Sequence, residues 1–576
     1  QLLESKMKSY DLKTVRSQII GRNLLHRTPF GQRNLFYSDY TASGRGLAFI
    51  EAKMVNILKS YANTHTEDDY TGKYMTRLLH QAEAKIKELV NAGEQGKIIA
   101  AGSGATGALL KLQQILGIYI PPVTRERFYQ TLEKSPFAAE GLLKDIEHNK
   151  PVIFVSPYEH HSNEVLWRET NADVIVVEED EAGLVDLDIL QTRLLEFADR
   201  PLKIGSFSAA SNVTGIITNT DTVTTMLHEH GAIACWDFAA AAPYVPIDMN
   251  YADAPDSAAN KDVVFISPHK FPGGPGTPGI LIMKKSLMKN KVPVIPGGGT
   301  VSYVSSDAHR YIDDPEHREE GGTPDIVGSI RAGLVFQLKE AVGAENIFTH
   351  EKDMARHAID ILGKNPNINI LGNNQTDRLP IISFLVRHGE RYLHHDFVVA
   401  VLNDYFGIQT RGGCSCAGPY GHRLLGIDSE TSEEFNVQIM GGCEIIKPGW
   451  TRFGLNYFNS EDEVSFILGA IDWVATNGHK LLSAYACDGP TGRWWHKQAG
   501  KAAVMSLNDI DYTASGPTYS THKSSISLQN LDDLVQDAQK AIAALEGTSA
   551  SGSADAVIPE PARHLQWFPL PSEAAE

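Results

Sequence analysis

At 576 residues, of which 42% are hydrophobic and 21% charged, the chain is long enough for two or three globular domains and a buried active site. A formal net charge of -18 argues against nucleic acid or an anionic membrane surface as the main partner. No apolar stretch approaches the roughly 18–20 residues that span a bilayer, and the amino end has no signal-peptide core. Five cysteines in so long a chain are no disulfide framework, so the expectation is a cytoplasmic protein whose thiols are read singly for reactivity or metal binding.

Residues 1–36 read as a helical amino-terminal arm. Leu35-Phe-Tyr-Ser-Asp39-Tyr-Thr-Ala-Ser43-Gly-Arg-Gly46 then reads as a short strand running into small residues, where backbone can approach a ligand closely. Helical spacing covers 48–59 and 73–90, with Tyr61-Ala-Asn63-Thr-His65 between them. The apolar run Lys97–Ala101 leads into Gly102-Ser-Gly104-Ala105-Thr106-Gly at the start of an apolar-periodic helix, either a phosphate seat or a plain helix cap. It is neither a Walker A loop nor a Gly-x-Gly-x-x-Gly fingerprint.

From residue 151 onward, buried-strand runs at 151–155, 172–177, 203–210, 232–236 and 262–266 alternate with helical segments such as 187–198 and 221–230. This alternation predicts an α/β domain with a mostly parallel sheet, whose ligands sit at the carboxyl ends of the strands. The polar groups that follow those strands are Glu159-His160-His161, Ser211-Asn212, Asp237 and Ser267-Pro-His269-Lys270. Lys270 stands between an apolar strand and the Gly/Pro run that ends at Gly279. A lysine desolvated there becomes a neutral nucleophile able to form a Schiff base with a carbonyl; the alternative is a solvated lysine beside a turn.

Beyond Val327, two long helices reaching Leu362, strands at 381–386 and 408–411, a helix at 394–405 and the run Trp450–Leu455 predict a smaller α+β domain. Its loop Arg411-Gly-Gly-Cys414-Ser-Cys416-Ala-Gly-Pro419 carries two cysteines. The expected divisions are an arm (1–36), a large domain (37–326), a small domain (327–480) and an extension (481–576). The extension, with Arg493-Trp-Trp-His496, a helix at 528–545, the Gly/Ser/Ala-rich link Gly547–Ala554 and an aromatic, proline-rich end, is expected to pack on the body.

The ordered set Ser-Gly-Ala-Thr, Glu-His-His, Ser-Asn-Val-x-Gly, Asp-x-Ala, Ser-x-His-Lys, Glu-x-Gly-Thr-Pro and Arg-x-Gly-x-x-Cys resembles the class V aminotransferase and cysteine desulfurase family of pyridoxal-phosphate enzymes, fold type I, over roughly residues 35–475. The resemblance implies that Lys270 binds pyridoxal 5'-phosphate covalently and shuttles protons, and that Asp237 pairs with the pyridine nitrogen. It implies that His160 stacks on the ring, Asn212 bonds the phenolate oxygen, and Ala105, Thr106, Ser267 and His269 surround the phosphate. Thr323 matches the threonine that reaches the phosphate of a partner subunit, implying a homodimer.

By the same resemblance Arg452 and Arg411 grip the substrate carboxylate, with Ser43 and Asn63 as further substrate contacts. Cys416 matches the cysteine that takes sulfur from L-cysteine, leaving a persulfide and alanine, with a sulfur acceptor protein as a further partner; a nearby arginine favours the reactive thiolate. Two departures stand out: Ala240 replaces a family glutamine, and a long insert, Leu425 to Pro448, separates the Cys-x-Cys pair from Arg452. The alternatives are a class V aminotransferase, a selenocysteine lyase or another C–S lyase without a catalytic cysteine, and, in a different class, a scaffold with zinc on Cys414, Cys416, His422 and Cys443.

Overall fold

The computed structural model describes residues 11–573 apart from 23, 65, 67, 135–139, 252, 253, 255, 500–505, 522–526 and 546–557. The apolar runs between 97 and 266 become the strands β1 (Gly96–Ala101), β2 (Val152–Val155), β3 (Asp173–Val176), β4 (Lys203–Ser208), β5 (Ile233–Asp237) and β6 (Val263–Ile266). A seventh, β7 (Gly279–Lys284), joins them in one sheet of order β1-β7-β6-β5-β4-β2-β3. Strands β6, β5, β4, β2 and β3 run parallel, and β7 is antiparallel to both β1 and β6.

Every residue of β2 and β6 is buried, as befits strands covered on both faces. One covering layer includes the Gly104–Ile115 helix, whose Ala105, Ala108, Leu109, Leu112 and Ile115 share a core with Val155, Phe265, Leu281 and Trp167. Because Ala101 and Ile266 face Gly279 and Ile280 across β7, β1 and β6 end at the same edge of the sheet.

The chain divides into two compact units, residues 1–19, 41–352 and 375–379 in the first and 20–40, 353–374 and 380–576 in the second. The Ile326–Val342 helix thus belongs to the first unit, together with the large sheet. No helix among the described residues is long and apolar enough to cross a membrane.

The second unit is built on an antiparallel sheet of β8 (Ile368–Ile370), β9 (Ile381–His388), β11 (Trp450–Gly454) and β10 (Arg411–Gly413), in that order, with Arg391–Tyr392 beside β9. The expected helical arm is a helix only at Leu12–Gln18; Leu25–Thr28 and Gly31–Asn34 form an antiparallel hairpin instead. Its Thr28-Pro-Phe-Gly31 turn stops a helix. Long-range bonds then hold it: Asn34 and Gln529 exchange hydrogen bonds of 2.9 and 2.8 Å.

The insert after Leu425 forms a helix, Ser429–Met440, and a turn at Glu444–Ile446. The carboxyl-terminal extension packs on this unit, as expected: Leu534 and Ala538 of the Leu531–Leu545 helix, and Ala562, Leu565 and Phe568 beyond it, are buried in the same core as Phe397, Val401 and Phe453. The Gly547–Ala554 link lies outside the described residues.

Candidate functional site

In the first unit, the carboxyl edge of the sheet gathers most of the side chains singled out above. Asp237 is the last residue of β5 and is 5% exposed. One carboxylate oxygen accepts the Ala239 N–H at 2.7 Å. Burial pushes its acid above the ordinary carboxylate value, against the Ala239 hydrogen bond and the positive charge of Lys270. Lys270 ends the short turn Pro268–Lys270 that follows β6.

Ser267, between β6 and that turn, accepts the backbone N–H of Ala105 on its hydroxyl at 2.8 Å. This ties the end of β6 to the first turn of the Gly104–Ile115 helix, whose N-cap residue, Ser103, makes no side-chain cap bond. Gly104 has φ +57°, and a Cβ there would lie 2.9 Å from the Ser267 hydroxyl and 3.4 Å from His269 Nε2. Only glycine leaves this corner open, and helix N-terminus, hydroxyl and imidazole together make a seat for an anion. Burial, reinforced by Lys270, pushes His269 down to about 4, so at neutral pH its imidazole is uncharged.

Thr106 and Ser162 hydroxyls lie 2.6 Å apart, and the Ser162 N–H donates to His160 Nδ1 at 3.1 Å, which orients the His160 ring. Asn212 is 7% exposed, and Ala240 is buried near Asp237 in sequence. Ser43 donates to the His269 carbonyl at 3.3 Å. Asn63 donates to the Thr323 hydroxyl at 3.0 Å, so these two are brought together with each other.

Glu159, quoted in the Glu-His-His motif but given no role, proves to be a clamp. Its carboxylate accepts from Ser208 N–H and Oγ at 2.8 and 2.6 Å, Asn163 Nδ2 at 2.7 Å, and Ser156 N–H and Oγ at 3.2 and 2.5 Å. It therefore fastens the ends of β2 and β4 together. Burial raises it to about 7 despite these donors, with Asp237 adding to the rise. Its acidic residue type between two strand ends was the available signal.

Near the loop bearing Thr323, the side chains of Glu83 and Glu320 are hydrogen-bonded to each other. Burial, then Glu320 and Glu316, raise Glu83 to about 8, and a cavity of about 280 Å³ lies between Thr64, His80, His317 and Glu320. An acid whose folded value exceeds its ordinary 4.5 holds its proton in the folded state, so the stability it contributes is lost as pH climbs from that value toward 8. Glu83→Gln mimics the protonated form. Its melting temperature is expected to fall less than that of the unmodified protein between pH 6 and 8.5; parallel curves would contradict the assignment.

In the second unit, Arg411 and Arg452 are cross-strand neighbours on β10 and β11. Asp39 makes this tolerable by taking Arg411 Nε on one oxygen and an Arg452 terminal nitrogen on the other, both at 2.9 Å. Arg452 is 3% exposed, while the Arg411 side chain is 47% exposed. Asp39 had no assigned role in the sequence, because nothing local links it to residues near 411 and 452.

Cys416 is exposed and Cys414 half-buried. Ser415 and Cys416 have φ +51° and +56°, and the Ala417 N–H donates to the Cys414 carbonyl at 3.1 Å, a tight turn of the type I′ class. Two successive non-glycine residues in left-handed conformation cost roughly 1–2 kcal/mol each, so the surrounding structure must impose the turn.

Cys414, Cys416, His422 and Cys443 do not gather into a metal-binding group. Among the described residues such a group comprises His394, His395 and Asp396. There His394 Nδ1 accepts the Asp396 N–H at 3.1 Å and Nε2 faces the Ile445 carbonyl at 3.0 Å, so both ring nitrogens are committed to the helix cap and the turn.

The family model for aminotransferase class-V matches residues 131–467. A probable cysteine desulfurase of Streptomyces coelicolor is 25% identical over 418 residues, 72% of this chain and 90% of that protein. A cysteine desulfurase of Escherichia coli O127:H6 is 29% identical over 334 residues, 57% of this chain and 71% of that protein. Among solved structures, the apo cysteine desulfurase of Thermococcus onnurineus NA1 superposes with a TM-score of 0.62 at 22% identity, covering 80% of this chain and 98% of that one. Escherichia coli cysteine desulfurase CsdA gives 0.58 at 21% identity, covering 81% and 99%. These likenesses establish the fold-type I architecture expected from the sequence.

Proposed function

The chain belongs to the aminotransferase class-V family of pyridoxal-phosphate enzymes, and on that premise we propose that it binds pyridoxal 5'-phosphate in its larger unit and works as a cysteine desulfurase. L-cysteine would lose its sulfur to Cys416: the Cβ–S bond breaks, an S–S bond forms on Cys416 Sγ, and a proton takes the place of sulfur at Cβ. The products are L-alanine and the persulfide of Cys416.

The residues present suit that cofactor. The open corner at Gly104, with the Ala105 and Thr106 turn, Ser267 and a neutral His269, offers hydrogen bonds to a phosphate. Asp237, buried and raised by desolvation, offers an anion to a ring cation. When bound, the cofactor supplies an electron sink for bonds at the substrate α-carbon. Lys270 carries it and moves the proton at the substrate Cα; His160 covers one ring face and Asn212 serves the phenolate oxygen. Arg411 and Arg452 bind the substrate carboxylate, with Ser43 and Asn63 lining the substrate side. Metal plays no part in this reading.

One observation carries the sulfur chemistry: an exposed thiol held at the corner of a turn that two left-handed residues make costly to form. Five free cysteines fit a reducing compartment, the cytoplasm. The apolar side chains Phe49, Val55, Leu58 and Tyr61, together with Tyr303 and Val304, are exposed and support a homodimer, in which Thr323 would reach the partner's phosphate. The exposed thiol also suits hand-over of sulfur to an acceptor protein.

The test is direct. Purified protein given L-cysteine should form L-alanine and sulfide and carry an extra sulfur on the Cys416 peptide by mass spectrometry. Cys416→Ser should lower sulfide release at least about a hundredfold. A keto acid in place of alanine, with no label on Cys416, would establish transamination instead.

A further inference from the structure

Cys416 has an electrostatic neighbour that its motif does not contain. The β10/β11 ladder pairs Arg411 with Arg452, Gly412 with Thr451 and Gly413 with Trp450. The ladder ends at that pair, where the chain enters the Cys414–Ala417 turn on one side and Pro448 precedes the strand on the other, so that Cys416 and Lys447, the residue that follows the Glu444–Ile446 turn of the insert, both lie beyond the same end of it. The two segments stay in contact past the last pair, since a Cβ on Gly449 would lie 2.8 Å from the carbonyl carbon of Gly413.

We propose that Lys447 is a positioning residue for the sulfur chemistry, its ammonium stabilising the anion that Cys416 bears before and after it accepts sulfur. The inference rests on the reading of Cys416 as the sulfur-accepting thiol.

Lys447 forms an ion pair with Glu444 at 2.7 Å, and its side chain is 47% exposed. Its ammonium is held above its ordinary value by Glu444, with Cys414 and Cys416 contributing in the same direction. The other charged groups around the thiol are less adaptable. Arg411 and Arg452 are both committed to Asp39, and Asp396 and His395 lie against Gly412, whose Cβ would meet them at 2.0 and 3.0 Å. Lys447 is thus a cation on a flexible stem that Glu444 and a sulfur anion compete for. It also gives the insert between Leu425 and Pro448 a task, because this segment delivers Lys447 beside the thiol.

The competition makes the test two-sided. In substrate-free holoenzyme bearing Cys414→Ser, the rate of Cys416 alkylation by iodoacetamide is followed from pH 6 to 9.5, with the label located by mass spectrometry. Lys447→Ala should react about threefold more slowly at pH 7 and Glu444→Gln about twofold faster, both differences shrinking toward pH 9.5, with Lys447→Arg restoring the rate. An unchanged rate in Lys447→Ala, or a change of the same sign in both variants as a loosened loop would give, overturns the proposal. Because no substrate is present, this outcome is separate from the desulfurase reading, which is tested by the products formed from L-cysteine and falls if Cys416→Ser still releases sulfide at the unmodified rate.

Discussion

Replacing Lys270 with alanine is expected to remove both the visible absorbance of the purified protein and its turnover of L-cysteine, the latter by at least about a thousandfold. The amine sits at the end of a short turn between a fully buried strand and a run of glycine and proline. Its charge also registers at Asp237, whose acid it pulls down against burial. On the proposed reading, loss of the amine would remove the covalent anchor, the group that moves the proton at Cα, and a cation that acts on the buried carboxylate. Absorbance spectra with sulfide and alanine assays on the same preparation check all of this. An unchanged spectrum in the variant would sink the assignment.

Asp237→Asn should retain the fold and much of the cofactor yet lower turnover at least about a hundredfold. Asparagine is isosteric and keeps an oxygen for the Ala239 N–H at 2.7 Å, so the strand end is undisturbed. What is lost is charge. A carboxylate buried to this extent is costly by itself, and a cation opposite it offsets the cost while favouring the protonated ring. Cofactor content, from absorbance after alkaline release, should change far less than the rate of alanine formation. Equal losses in both would make Asp237 a binding group only.

The elements read from local pattern alone are those whose stabilisation is itself local or repeated along the chain. A strand in a parallel sheet is covered on both faces and shows as a continuous apolar run, as at Val152–Val155 and Val263–Ile266. Strand β7 is buried in all but its last residue but begins inside the Gly/Pro run that follows Lys270, where punctuation hides it. The amino-terminal arm failed as a helix because its hairpin depends on Gln529, nearly five hundred residues away.

The order of the strands' polar ends, and hence the grouping of Lys270, Asp237, His160, Asn212 and the Ala105 turn at one edge, is legible in the letters alone, because a doubly wound sheet sends successive carboxyl ends to the same side. How these groups are charged and held emerges only in the folded chain. Asp39 bridges Arg411 and Arg452, Glu159 closes two strand ends, and Glu83 shares the field of Glu320. In each case the partners lie far apart in the chain or differ in burial, and ionisation depends on burial and on neighbours in space, which adjacent letters do not encode.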